Sequence, residues 1–141
     1  IIFCKYFYPY KDFVMSIIKE YVPDLPIIPV SNIQISYSAG QLVGNIHWVP
    51  VNTLITITAD VPLPDSVFMT MFEVMVNATE VIKDIRRPAT ITNGLMTLEV
   101  RFKESGNPVL SSERLNKGLE IIGTPFRLNE FRIEFDIYDE A

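Results

Sequence analysis

The stretch Pro88–Phe102, PATITNGLMTLEVRF, predicts a β-hairpin around which the rest of the chain can be organised. Asn93-Gly94 is the preferred pair for a two-residue type I′ turn, because both central residues of that turn need a positive φ. The resulting cross-strand pairs are Thr92 with Leu95, Ile91 with Met96, Thr90 with Thr97 and Ala89 with Leu98.

The same register separates the side chains of the hairpin into an apolar face and a polar face. The apolar face holds Ala89, Ile91, Met96, Leu98, Val100 and Phe102, and the polar face holds Thr90, Thr92, Thr97, Glu99 and Arg101. A slip of one residue would bury the polar set. We therefore expect an antiparallel sheet with one face on a core and the other in water.

Alternating runs on both sides of the hairpin predict further short strands. They are Ile33–Tyr37, Leu42–Val49, Thr53–Asp60, Val67–Val76, Val81–Ile85 and Phe131–Tyr138. Val67–Val76 is apolar on both faces, which is typical of a strand in the middle of a sheet or against a partner. The charged side of the last strand indicates a solvated face or a guarded sheet edge.

One short helix is predicted near residues 112–122. Ser111 or Ser112 can cap its start, and Gly123 suits its end. Leu115, Leu119 and Ile122 mark its apolar side. Short strands with frequent turn signals favour a mainly β fold, and we predict an antiparallel β-sandwich, Ig-like or jelly-roll-like, over residues 31–141.

The first 22 residues have a different character, with an aromatic arm followed by an amphipathic helix from residue 12. Three prolines then make residues 23–30 a stiff connector to the β domain. So dense an aromatic cluster must pack either on its own domain or on another subunit. The candidate assembly residues are Phe3, Tyr6, Phe7, Tyr8, Phe13, Ile17 and Tyr21.

Composition excludes several function classes. A chain of 141 residues with 48% hydrophobic residues can form one domain with a core. Its net charge of −5 disfavours a nucleic-acid-binding surface. Cys4 is the only cysteine, so no internal disulfide is expected. No apolar run approaches the ~20 residues of a membrane span, and the first residues lack the features of a signal peptide.

No motif demands a particular chemistry. His47 is the only histidine, so we predict no catalytic residue, no metal site and no cofactor, and hence a protein that is not an enzyme. Trp48, with Tyr37 and His47 nearby, suits the stacking of a sugar ring, although a single Trp in a β domain is also typical of a core. Lys83, Arg86 and Arg87 form a small basic patch, which we expect to pair with surface acids.

Two functions fit these observations. The first is a structural or assembly module that docks on itself or on other structural subunits through residues 1–22. The alternative is a carbohydrate- or receptor-binding β-sandwich that takes a surface glycan at Tyr37, His47 and Trp48.

The runs Leu54–Asn77 and Arg101–Phe126, with the Thr-rich hairpin between them, carry a resemblance. They resemble the β modules of phage virion proteins of the tail, fibre or baseplate type, over roughly residues 31–138. The resemblance implies a structural role in a virion and symmetric self-assembly, and it assigns no functional residue.

Overall fold

The computed structural model describes residues 25–75 and 80–140, and the structural statements below refer to them. The strands are β1 (Ile27–Ile28), β2 (Ser31–Tyr37), β3 (Gln41–Val43), β4 (Ile46–Pro50), β5 (Ile55–Asp60), β6 (Ser66–Met75), β7 (Val81–Thr92), β8 (Leu95–Val100), β9 (Asn107–Ser111), β10 (Arg127–Leu128) and β11 (Arg132–Tyr138). One helix, α1, spans Ser112–Ile121. The prediction of a mainly β chain with one short helix is confirmed.

Nine of these strands form one sheet in the order β2-β5-β8-β7-β6-β9-β11-β4-β3. The strand predicted to lie in the middle of a sheet or against a partner, β6, is the fifth of the nine. Strands β4 and β11 run parallel, so the expectation of a wholly antiparallel sheet is wrong at this pair. Parallel neighbours need a long connection, and most of the chain lies between these two strands. The strands β1 and β10 form a separate parallel pair.

The central hairpin has the predicted register. Thr92 pairs with Leu95, and the ladder continues to Ala89 and Leu98. Asn93 and Gly94 have φ values of 52° and 77°, as a type I′ turn requires. The Asn93 amide donates to the Asp65 carboxylate at 2.8 Å, which ties the turn to the preceding loop. All six side chains of the predicted apolar face are buried.

Two predicted strand boundaries are wrong. The run Leu42–Val49 is not one strand but the hairpin β3–β4, in which Val43 pairs with Ile46 across Gly44-Asn45. Gly44 has a φ of 63°, which suits the first central position of a type II′ turn. Val81–Ile85 is not a separate strand but the first part of β7, which continues to Thr92.

The sequence analysis missed β9, because its residues follow the predicted Ser105-Gly106-Asn107 loop. Only Asn107 is exposed in β9. The strand therefore lacks the alternation of buried and exposed residues from which a strand is predicted. The last strand, β11, lies between β9 and β4. Because β11 is not an edge strand, its charged side chains form a solvated face of the sheet and do not protect a sheet edge.

The curled sheet encloses one core. At its centre Phe72 contacts the rings of Phe102 and Phe135, with centroids 5.2 and 6.3 Å away. Tyr37 on β2 and His47 on β4 come from opposite ends of the strand order, and they meet because the sheet curls. This one continuous sheet does not confirm an Ig-like or jelly-roll-like sandwich.

The helix α1 begins and ends as predicted. The Ser111 hydroxyl accepts a hydrogen bond from the Arg114 amide at 3.3 Å, and Gly123 has a φ of 73° just after the helix. Leu115 and Leu119 are buried in the core. Ile122, predicted on the same apolar side, is instead 75% exposed.

The predicted arm and helix of residues 1–22 lie outside the described residues. Of the predicted connector, the described part packs on the β domain. Ile27–Ile28 pairs with β10, and the Val30 amide donates to the Asn129 side-chain oxygen at 2.9 Å. The division of the chain into residues 1–22, 23–30 and 31–141 stays a prediction.

Candidate functional site

An apolar groove lies between β6 and α1, and we take it as the candidate site. Its volume is about 350 Å³. The wall on the β6 side is formed by Val67, Phe68, Met69 and Met71, and the wall on the helix side by Leu115, Gly118, Leu119, Ile122, Thr124 and Phe126. Most of these side chains are apolar, so the groove suits an apolar occupant.

The groove exists because β9 is shorter than β6. β9 pairs with β6 only at Glu73–Met75. Among the described residues, Ser66–Phe72 therefore has no strand partner on this side, and α1 lies there instead. An unpaired strand edge offers backbone N–H and C=O groups to an added extended segment.

Large apolar side chains stand exposed along the groove. Val67 is 69% exposed and Met69 is 56% exposed on β6. Ile122, just after α1, is 75% exposed. Isolated exposed apolar residues are ordinary, but a contiguous set around a concave surface is typical of an interaction site.

A charged cluster closes one end of the groove. The Arg114 guanidinium lies 3.6 Å from the carboxylates of both Glu73 and Asp84. This arginine holds α1 against β6 and β7, and it lines the groove together with Arg86. The helix wall is thus fixed by side chains and not only by its connections.

The segment that begins at Leu25 lies next to Phe126, a residue of the groove. The Arg127 amide donates to the Pro26 carbonyl at 3.0 Å, and Phe126, the preceding residue, lines the groove. Leu25 is 39% exposed next to this contact. The first described residues therefore lie close to Phe126 at the rim of the groove.

The structure brings together two of the three predicted sugar-site residues. The Tyr37 hydroxyl and His47 Nδ1 are hydrogen-bonded at 3.0 Å, and the His47 ring lies 5.4 Å from that of Phe135. Burial lowers the pKa of His47 and raises the pKa of Tyr37, because desolvation disfavours their charged forms. This pair belongs to the inner face of the sheet.

Trp48 does not join that pair, because neighbouring residues of a strand point to opposite faces. It is 41% exposed on the outer face of β4. Its register neighbours there are Gln41 on β3 and Asp136 on β11. The indole is therefore a surface group with a polar neighbour on each side.

The predicted assembly residues Phe3, Tyr6, Phe7, Tyr8, Phe13, Ile17 and Tyr21 lie outside the described residues. The sequence analysis predicted only one of the two walls of the groove. The two-faced apolar run Val67–Val76 indicated one wall, but no local pattern placed Ile122 or Phe126 opposite it.

Within residues 25–75 and 80–140, no group of three or more His, Cys, Asp or Glu side chains is arranged to hold a metal ion. No helix in the same ranges is long and apolar enough to cross a membrane. Comparisons with protein-family models, curated proteins and solved structures found no match to this chain. The groove and its surroundings are therefore the basis for a functional proposal.

Proposed function

We propose that this protein is a non-enzymatic assembly module in which residues 1–22 of one copy occupy the groove between β6 and α1 of another. The observation that carries the proposal is the open apolar groove next to a stretch of β6 that has no strand partner on this side within residues 25–75 and 80–140. Val67, Met69 and Ile122 are exposed there, and their burial would provide a favourable free energy of association.

The sequence of the proposed occupant suits this groove. Fifteen of residues 1–22 are apolar or aromatic, and they precede Leu25 in the chain. A groove of about 350 Å³ can hold only a few of those side chains. The remainder need other apolar surface, which favours exchange between copies over simple cover within one copy.

Chain length permits the exchange. The 24 residues before Leu25 can reach about 80 Å when fully extended. This length is sufficient for an arm to reach a neighbouring copy. Symmetric self-assembly in a phage virion, which the resemblance implies, is the setting that we propose for it.

A complementation experiment tests the exchange. Met69→Glu places a charge in the groove, and Phe7→Asp places one in the arm. Each variant should be monomeric by light scattering, whereas the unsubstituted chain should form a discrete oligomer. A mixture of the two variants should form one-to-one pairs, because the intact arm of one fits the intact groove of the other.

Leu95→Glu is the matched control, because Leu95 is 45% exposed near the hairpin turn and does not line the groove. It should assemble as the unsubstituted chain does. An unsubstituted chain that is monomeric at all concentrations would refute the proposal. An oligomer whose two variants fail to complement each other would refute the exchange of the arm between copies.

A second candidate function rests on Trp48. Its exposed indole lies between Gln41 and Asp136 on one sheet face, and polar side chains beside an aromatic ring suit a sugar ring stacked on it. Trp48 is the only tryptophan, so its fluorescence reports on this surface alone. A change in emission with a member of a glycan panel, lost on Gln41→Ala, would support a carbohydrate-binding module.

We also propose that the curled sheet folds into the two packed layers of a β-sandwich. Strands β2, β5, β8 and β7 would form one layer, and β9, β11, β4 and β3 the other, with β6 at the bend. Two contacts across the core support this division, Phe102 with Phe135 at 6.1 Å and Tyr37 with His47.

A further inference from the structure

A second concave surface lies on the opposite edge of the β6–β7 ribbon. β8 pairs with β7 only at Ala89–Thr92. Among the described residues, Val81–Pro88 therefore has no strand partner on the β8 side. A pocket of about 230 Å³ opens here, between this part of β7 and the loop that follows β8.

The pocket concentrates positive charge in an acidic protein. Four of the twelve Lys and Arg residues line it, although the net charge of the chain is −5. They are Lys83, Arg87, Arg101 and Lys103. Its other lining residues include the apolar side chains of Val74, Ile85, Phe102 and Pro108.

Only one of these four cations is neutralised by a described acid. Lys83 Nζ lies 2.7 Å from the Glu104 carboxylate, which confirms the expected pairing for this member of the basic patch. Within the described residues, Arg87, Arg101 and Lys103 contact no carboxylate. The pocket therefore carries three positive charges that no carboxylate of the described residues neutralises.

The two arginines are held in place and still have donors to offer. Arg87 Nη1 donates to the Arg86 carbonyl at 2.6 Å, and Arg101 Nη1 donates to the Asn52 carbonyl at 3.0 Å. A guanidinium has five N–H donors, so each arginine keeps several for a ligand. Guanidinium groups match the geometry of phosphate oxygens through paired hydrogen bonds.

We propose that this pocket binds a phosphate monoester, with the phosphate at Arg87, Arg101 and Lys103 and the organic group against Ile85 and Phe102. A monoester is close to dianionic at neutral pH, which matches this cluster better than a single carboxylate does. The apolar wall favours an ester over inorganic phosphate. The ester is either a free small molecule or a phosphorylated side chain of another protein.

Isothermal titration calorimetry on the full chain at low ionic strength tests the site. The probes are phenyl phosphate, benzoate, inorganic phosphate and a phosphotyrosine peptide. Phenyl phosphate should bind more tightly than benzoate and inorganic phosphate. If the peptide binds still more tightly, the source is a phosphorylated side chain; if it binds more weakly, the source is a small molecule.

Arg87→Gln and Lys103→Gln should each weaken phenyl phosphate binding by about tenfold or more, because each removes a charged hydrogen-bond donor. Lys103 makes no hydrogen bond or ion pair to a described residue, so its substitution leaves the fold intact. Lys117→Gln on α1 is the matched control, with the same loss of charge away from the pocket, and it should bind normally. Equal weakening in all three variants, or no binding of any phosphate ester, would overturn the proposal.

Discussion

The groove and the cationic pocket each lie beside a strand that extends past its neighbour in the sheet. β6 and β7 form a long ribbon that is offset from its neighbours, so among the described residues each strand has one stretch with no strand partner on its outer side. On β6 this stretch is Ser66–Phe72, and on β7 it is Val81–Pro88. The first lies beside exposed Val67 and Met69, and the second beside Lys83 and Arg87. The backbone produces both concavities, and the side chains give them opposite chemistry.

The largest expected effect comes from the core that both surfaces share. Phe72 is fully buried, contacts Phe102 and pairs with Ile85, which both line the pocket. Phe72→Ala should lower the free energy of unfolding by about 3–5 kcal/mol, because it leaves a cavity. Urea denaturation measures this loss. A loss below about 1 kcal/mol would mean that the two surfaces do not rest on a common core.

A substitution at the start of α1 should have a smaller effect, and it should change the groove without changing the cationic pocket. Ser111→Ala removes the N-terminal cap of α1, which forms only the groove. It should cost about 1 kcal/mol of folding stability and weaken self-association while phenyl phosphate affinity stays constant. Light scattering and calorimetry on the same preparation test this. Ser105→Ala, in the loop beside the cationic pocket, is the control and should leave self-association unchanged.

Added salt should affect the two surfaces differently without any substitution. Raising NaCl from about 50 to about 500 mM screens charges, so phenyl phosphate affinity should fall severalfold. Self-association through the apolar groove should stay the same or strengthen, because burial of apolar surface does not depend on screening. Parallel titrations at each salt concentration measure both. Equal weakening would show that the groove also binds through charge.

The smallest effect is expected from pH, at a residue that lines neither surface. Burial lowers the pKa of His47 below its ordinary value of 6.5, so the unfolded chain takes up a proton at a higher pH than the folded chain does. Stability should therefore be constant above this value and decline as pH falls through the folded pKa. Denaturation midpoints at about pH 8 and about pH 5.5 measure the decline, and His47→Gln should reduce it.

Local patterns predicted those parts of the fold in which the necessary information lies within a few residues. The Asn93-Gly94 turn and the alternation around it gave the register of β7 with β8. Ser111 and Gly123 gave the ends of α1. In contrast, β9 was missed because it is buried on both sides and follows a loop signal. The parallel pairing of β4 with β11 was missed because it joins segments far apart in the chain.

The same division holds for the sites. The sequence indicated that β6 carries apolar side chains on both faces, and that Lys83, Arg86 and Arg87 form a basic patch. It could not indicate that Phe126 lines the same groove as Met69, or that Arg101 and Lys103 line the same pocket as Arg87. It placed Trp48 beside Tyr37 and His47, although strand alternation puts the indole on the other face.

The sequence by itself determined the Asn93-Gly94 turn, the register and the two faces of the hairpin around it, and the position of the helix. These features depend on backbone conformations and on which face of each element is apolar, which neighbouring residues decide. Only the tertiary structure decided where strand pairing stops. Pairing lengths depend on how distant strands meet in the curled sheet. The groove and the pocket lie beside the two stretches that have no strand partner among the described residues.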